Sequence, residues 1–316
     1  MKSRIFFVSD VHGSERCFRK FINAAKFYDA QILILGGDIT GKALIPIVEG
    51  PDGNFRLSMH GEDKTVKKKD LPDYQVRLRN SGCYYFVTTD RELEDMSGRP
   101  DKVDAIFLEQ MKAVLAGWIA LAEERLKGTD VKCYISPGND DKLEMDELLK
   151  DGEHVFNPEN SVVSITPRNE MITLGYANPT PWHSPREVSE EKLEEMITAL
   201  ADKVTDRSGS IFNLHVPPQG TDLDRAPAVN SDLEYEKAGM GMLKMISAGS
   251  TAVRSAIERY QPLLGLHGHI HESRGFARLG RTVCINPGSD YGDGTLRGAL
   301  IGLEDGALKE YMLTSG

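Results

Sequence analysis

The stretch Arg4-Ile5-Phe6-Phe7-Val8-Ser9-Asp10-Val11-His12-Gly13 decides how the rest of this sequence is read. An unbroken apolar run suits a strand buried on both faces, and this one stops at an acid, a histidine and a glycine. The same grammar recurs four times. Gln31–Leu35 stops at Gly36-Gly37-Asp38 and Val131–Ser136 at Pro137-Gly138-Asn139-Asp140. Ser210–Leu214 stops at His215, and Pro262–Leu266 at His267-Gly268-His269-Ile270-His271. In α/β sheets, ligands gather beyond the carboxyl ends of the strands. Strands that each deliver a polar side chain there predict one composite site.

Helical patterns lie between these runs. Glu15–Tyr28 places Phe18, Phe21, Ile22 and Ala25 on one face, and Asp101–Lys127 carries apolar residues at helical spacing along its length. Ser189–Val204 and Ser250–Tyr260 each open with a serine, a good N-cap. The alternation argues for an α/β fold with helices covering sheets. Ser161–Ile165, Met171–Leu174, Arg281–Ile285, Gly298–Leu303 and Leu308–Leu313 read as antiparallel hairpins flanking a parallel core. The architecture expected is a two-sheet β-sandwich flanked by helices, one domain over residues 1–316. Residues 45–99 stand apart: weak strands at Phe55–Met59, Gln75–Arg79 and Tyr84–Thr88, many charges, and no ligand-bearing strand end. They are either a lid or specificity insertion over the site or a neutral surface excursion.

Composition narrows the function. The chain has 316 residues, 40% hydrophobic and 27% charged, which suits a packed core and excludes whole-chain disorder. No apolar run approaches the roughly 20 residues of a membrane span. The first apolar run ends too early for a signal peptide. A net charge of −10 and the lack of a basic field disfavour nucleic acid. Cys17, Cys83, Cys133 and Cys284 form no C-x-x-C pair and read as reduced thiols in a cytoplasmic protein.

Taken singly, an acid after a strand is commonly a helix cap and a histidine an ordinary polar residue. Asp10 with His12, and His269 with His271, are spaced so that on an extended backbone both side chains would face one way. The mixture of carboxylate, imidazole and amide oxygen suits divalent transition metals such as Mn, Fe, Zn or Ni.

In order and spacing, Asp10-x-His12, Gly37-Asp38, Gly138-Asn139, His215 and Gly268-His269-x-His271 resemble the blocks of the calcineurin-like metallophosphoesterases, over nearly the whole chain. The resemblance implies a four-layer α/β/β/α fold and two divalent metals. It places Asp10, His12 and His271 on one metal, Asn139, His215 and His269 on the other, and Asp38 bridging both. Two such ions, about 3.5–4 Å apart, would activate a bridging water to hydroxide for in-line attack on phosphorus. The implied activity is hydrolysis of a small phosphorylated substrate.

The sequence departs from the family pattern in its third block. The family's common Gly-Asn-His is here Gly138-Asn139-Asp140-Asp141, so Asp140 replaces the histidine that protonates the leaving group. A carboxylate beside cations stays ionised and donates a proton poorly. That favours phosphodiesters, with Asp38, Asn139, Asp140 and Asp141 as the catalytic set. A monoesterase taking its acid from His60 or His183 is the alternative, and a non-catalytic interaction protein the remote one. Gly37-Asp38 is followed by Ile39-Thr40-Gly41-Lys42 and lacks the Asp-Arg continuation of the phosphoprotein phosphatases. Lys42 and His183 are candidate substrate contacts. Arg186, Arg225 and Arg254 are further possible anion contacts. Asn286-Pro287-Gly288-Ser289 reads as a structural loop.

Overall fold

A computed structural model describes residues 2–59 and 61–316. Along the first strand, Lys2–Val8, side chains alternate between two cores: Ile5 and Phe7 enter one, Phe6 and Val8 the other. That strand sits inside a six-stranded sheet ordered Ala307–Ser315, Arg297–Glu304, Lys2–Val8, Ile32–Gly36, Lys132–Ser136, Val155–Phe156. A second six-stranded sheet runs Gly275–Leu279, Thr282–Asn286, Leu264–Leu266, Ile211–Leu214, Asn169–Leu174, Ser161–Thr166. Their central strands pair in parallel, and antiparallel hairpins close three of the four edges, while Val155–Phe156 joins the fourth edge in parallel. Gly275–Leu279, antiparallel to Thr282–Asn286, is a strand that the sequence did not signal.

Three cores separate four layers. Ile5, Phe7, Ile34, Met171, Leu266 and Ile285 fill the space between the sheets. Phe6, Val8, Leu33 and Leu35 pack outward against the helices Glu15–Phe27 and Pro100–Leu126. Phe212 and Leu214 pack against Glu190–Ala201 and Thr251–Tyr260. The α/β/β/α sandwich expected from the sequence is therefore the fold. Serine caps begin three of these helices: Ser14, Ser189 and Ser250 each accept an amide of the first turn. Phe18 stacks on Trp118 at 4.3 Å, tying the two helices on the first sheet together.

An 18-residue window within Pro100–Leu126 has a mean hydropathy of 1.5, so the helix is long and apolar enough by composition to cross a membrane. Glu109 and Lys112 interrupt its apolar run, so no unbroken apolar stretch marks it in the sequence. Here its Met111, Leu115, Trp118, Ala122 and Leu126 are buried in the core against the first sheet.

Ala43–Glu49, Phe55–Met59, Glu62–Val66 and Cys83–Thr89 form a separate four-stranded sheet with its own core of Ile47, Phe55, Leu57, Val66, Leu71 and Leu78. Gln75–Arg79, expected as a weak strand, lies inside the helix Leu71–Asn80. Pro72 sits in the first turn, and Leu71 and Leu78, seven residues apart, share the buried face. Apolar alternation at Val76 and Leu78 is misleading, because Val76 is exposed.

Candidate metal centre

The loops after the strands are zipped to one another. Asp10, His12 and Gly13 donate their amides to Gly37, Asp38 and Ile39 carbonyls at 3.0, 3.0 and 2.8 Å. His215 donates to Leu174 and Gly268 to His215 in the other sheet. The bridge between sheets is the His269 amide, 3.1 Å from both carboxylate oxygens of Asp10. These ladders hold unusual backbone. Asp10, His12, Asp38 and His269 have φ of 57°, 39°, 51° and 66°, in the left-handed region where side chains cost strain. Extended backbone is therefore not what pairs Asp10 with His12 or His269 with His271. The side chains meet because each loop is bent, not because it is a strand.

The bent loops bring the candidates together. Ligand atoms of Asp10, His12 and His271 lie within 4.8 Å of one another, and so do those of Asp38, His215 and His269. The two groups touch: His12 Nε2 is 3.5 Å from Asp38 Oδ2 and 3.9 Å from Asp10 Oδ1. His271 Nε2 is 3.3 Å from Asp10 Oδ1. Asn139 Oδ1 joins through His269 Nδ1 at 2.7 Å. All seven sequence-derived candidates are thus in one cluster. His12, Asp38 and Asp140 form a third such group.

Two observations fit this donor set to cations. His12 Nε2 and His271 Nε2 face each other at 3.1 Å, although both nitrogens normally want a partner of a different kind. His215 Nε2 is buried and makes no hydrogen bond, with Asp38 Oδ1 3.4 Å away. Its other nitrogen, Nδ1, sits 3.0 Å from the Gly36 carbonyl, and His12 Nδ1 sits 3.3 Å from that of Thr40. Those carbonyls fix the protonated nitrogen and turn the lone pair of Nε2 into the cluster. Carboxylate, imidazole and amide together suit two divalent transition metals.

Shifts in the cluster run both ways: burial alone would lower His215 and His271, but Asp38 raises His215 to about 10 and Asp10 raises His271 above its ordinary value. Burial raises Asp38 to about 6 even though His215 beside it pulls the other way. Burial lowers His269 to about 3 and holds His12 well below its ordinary value, with Lys42 adding to the second effect. Imidazoles kept neutral in this way have their lone pairs available. Close packing enforces the arrangement. A Cβ at Gly138 would overlap Asp38 N and Oδ1, and one at Gly268 would overlap Asp10 Oδ2.

Asp140 and Asp141 have different surroundings. Burial alone would raise Asp140, but its ion pair with Lys42 and the Ser184 hydroxyl carry it down to about 2. Asp141 is fully buried and turned away from the cluster. It accepts the Ile39, Thr40 and Gly138 amides at 2.9, 2.8 and 2.8 Å and the Thr40 hydroxyl at 2.6 Å. Asp141 thereby clamps the Asp38 loop to the Asn139 loop, the supporting role that the sequence also allows it once its histidine partner is lost.

A cleft of about 800 Å³ opens on the cluster. Lys42 and His183 both line it, as expected of substrate contacts. Arg186 does not: it is buried, paired with Asp146 and bonded to the Asp141 carbonyl beneath the Asn139 loop. Arg254 pairs with Glu258, and Arg225 is exposed on a surface strand. His60 lies outside the described residues. Among the described residues, the excursion 45–99 contributes nothing to the cleft lining. Its Asn80 carbonyl instead accepts from Ser14, and its Tyr84 hydroxyl accepts from the Gly41 amide. The cleft wall comes from residues 178–185 and from the ribbon Arg225–Pro227 and Met245–Ser247. The loop Asn286–Ser289, read as structural, braces the site, and Tyr291 is a brace that the sequence did not signal. Asn286 Nδ2 donates to the Ile270 carbonyl, Ser289 Oγ donates to that of Asp10 at 2.6 Å, and Tyr291 packs on His12 at 4.7 Å.

Two facing sheets with outer helices carry this cluster at the carboxyl ends of their strands, the arrangement that the resemblance to the calcineurin-like metallophosphoesterases implies. No family model matches the chain. A curated protein of Methanocaldococcus jannaschii, described as uncharacterized, is 31% identical over 154 residues, which are 48% of this chain and 61% of that protein. The match thus spans about three-fifths of the relative's length. The protein TT1561 of Thermus thermophilus aligns over 100% of this chain and 99% of its own, with a TM-score of 0.54 and 15% identity, a likeness of fold. A dimetal phosphatase from Danio rerio covers 99% of this chain and 95% of its own at a TM-score of 0.44 and 10% identity, too loose to carry an argument.

Proposed function

We propose that this chain hydrolyses phosphate esters at a dinuclear divalent-metal centre and favours phosphodiesters. The observation that carries the reading is the convergence of two three-residue ligand groups, with Asp38 in one and within 3.5 Å of His12 in the other. Asp10, His12 and His271 would hold one ion, Asn139, His215 and His269 the second, and Asp38 would reach both. Bound there, the ions would supply Lewis-acid activation of water and neutralise phosphoryl charge.

The protein's own part is positional. The carbonyls of Gly36 and Thr40 aim His215 and His12, and Asp141 sets the distance between the Asp38 and Asn139 loops. Asp140 is held ionised by Lys42, so it has no proton to give near neutrality. Lys42 offers a fixed positive charge in the cleft instead. A diester with a stable leaving group fits that equipment better than a monoester whose leaving oxygen needs protonation. One feature favours the monoester alternative: His183 lines the same cleft and could supply the proton.

The test compares bis(p-nitrophenyl) phosphate with p-nitrophenyl phosphate in the presence of Mn²⁺. The diester should turn over faster, and D38A and H271A should lose both metal retention and turnover. Diester hydrolysis by those variants at the parent rate would remove the site assignment.

A further inference from the structure

The cleft has a second half that this chemistry leaves idle. Its size, about 800 Å³, is that of a small organic molecule rather than a polymer groove. Beyond the cluster, its wall carries Phe107, Met111, Trp182, Tyr235 and Ile246. Trp182 and Tyr235 are 58% and 60% exposed, large rings facing solvent without a partner that burial would give them. Exposed apolar residues scattered singly are ordinary, but these are concentrated. Leu233, Tyr235, Met242, Leu243, Met245 and Ile246 are all exposed, and all belong to the ribbon beside the cleft.

Charge on this wall is sparse. Lys42 is taken up by Asp140, and the Lys142 ammonium lies 5.9 Å from the centre of the Phe107 ring. Glu190 and Glu272 add negative charge to the lining. With Lys42 paired to Asp140 and two glutamates in the lining, the wall offers a second phosphate or a nucleic-acid backbone little net attraction. It accepts a flat apolar group, since aromatic rings stack well against indole and phenol faces.

We propose that this half is a subsite for the substrate's organic arm: the substrate carries a single phosphoryl group and an uncharged, ring-bearing apolar ester arm seated on Trp182 and Tyr235. The inference rests on the phosphoesterase reading and adds the class of ester. It gives the exposed ribbon a function in selecting that arm.

Three p-nitrophenyl phosphodiesters, differing only in a methyl, phenyl or octyl second arm, test it. The phenyl ester should show a KM about tenfold lower than the methyl ester, the factor expected from burying one ring. W182A and Y235A should erase most of that advantage. Ring binding is also read without turnover. Of the chain's two tryptophans, Trp118 is buried, so diphenyl phosphate should change the emission of the metal-free wild type and not of W182F. Failure to hydrolyse any ester alongside an intact emission response would defeat the phosphoesterase reading and spare the subsite. Equal KM values for methyl and phenyl arms, or equal loss on both in W182A, would overturn the subsite. An octyl arm that gains as much as phenyl would overturn the ring assignment.

Discussion

Replacing Asp141 by asparagine keeps the shape of the side chain and removes one acceptor. Asp141 Oδ2 takes two backbone amides, Ile39 at 2.9 Å and Gly138 at 2.8 Å, while Oδ1 takes the Thr40 amide at 2.8 Å and the Thr40 hydroxyl at 2.6 Å. An asparagine would turn its NH₂ towards the Oδ1 side, because only there can a partner, the Thr40 hydroxyl, rotate to accept. The Thr40 amide would still face a donor. A charge-assisted bond is lost, about 1.5–3 kcal/mol, and the stranded amide and weakened neighbours bring the expected cost to about 3 kcal/mol. Both loops that carry Asp38 and Asn139 loosen together, so metal affinity should fall about 10- to 100-fold. Urea denaturation in chelator, where bound metal cannot mask the loss, gives the first number, and equilibrium dialysis gives the second. A D141N protein with wild-type stability and metal affinity would refute the clamp.

Gly138→Ala should be damaging for a different reason. The added Cβ overlaps a backbone nitrogen as well as the Asp38 carboxylate, so no rotamer change relieves it. A loss of about 1–3 kcal/mol and at least about 100-fold in turnover are expected, checked by thermal melts and initial rates; an unimpaired variant would contradict the packing. Glu159, which is not itself a ligand candidate, provides a pH prediction. Burial raises it to about 7 from 4.5, although the Gly175 amide opposes the shift. A raised carboxyl stabilises the fold below pH 4.5 and loses that contribution as pH climbs through 7. Its side chain is partly exposed, which scales the full shift down to about 2 kcal/mol. Relative to E159Q, the wild type should lose that amount between pH 4.5 and about 7.5 in denaturation series, and parallel curves would contradict it.

The sandwich was legible because both faces of its central strands are buried, so apolar runs such as Ile32–Leu35 mark them without ambiguity. The ligands were legible because each follows such a run. What lay beyond was decided by contacts distant in sequence. Asp141 looked catalytic beside Asn139, yet its partners Ile39 and Thr40 are some hundred positions away. The positive φ at Asp10, His12, Asp38 and His269 comes from loop-to-loop hydrogen bonds that no local pattern encodes. The ribbon at the cleft mouth pairs strands of three residues, too short for alternation to register. The excursion 45–99 drew attention by its charge, but it folds on its own core and, among the described residues, adds nothing to the cleft lining.

Anomalous diffraction from crystals of the full chain grown with Mn²⁺ tests the central claim most directly. The account predicts two peaks about 3.5–4 Å apart, one among Asp10, His12 and His271, the other among Asn139, His215 and His269, with Asp38 between them. No peak at the cluster, or a single ion bound elsewhere on the molecule, would contradict it.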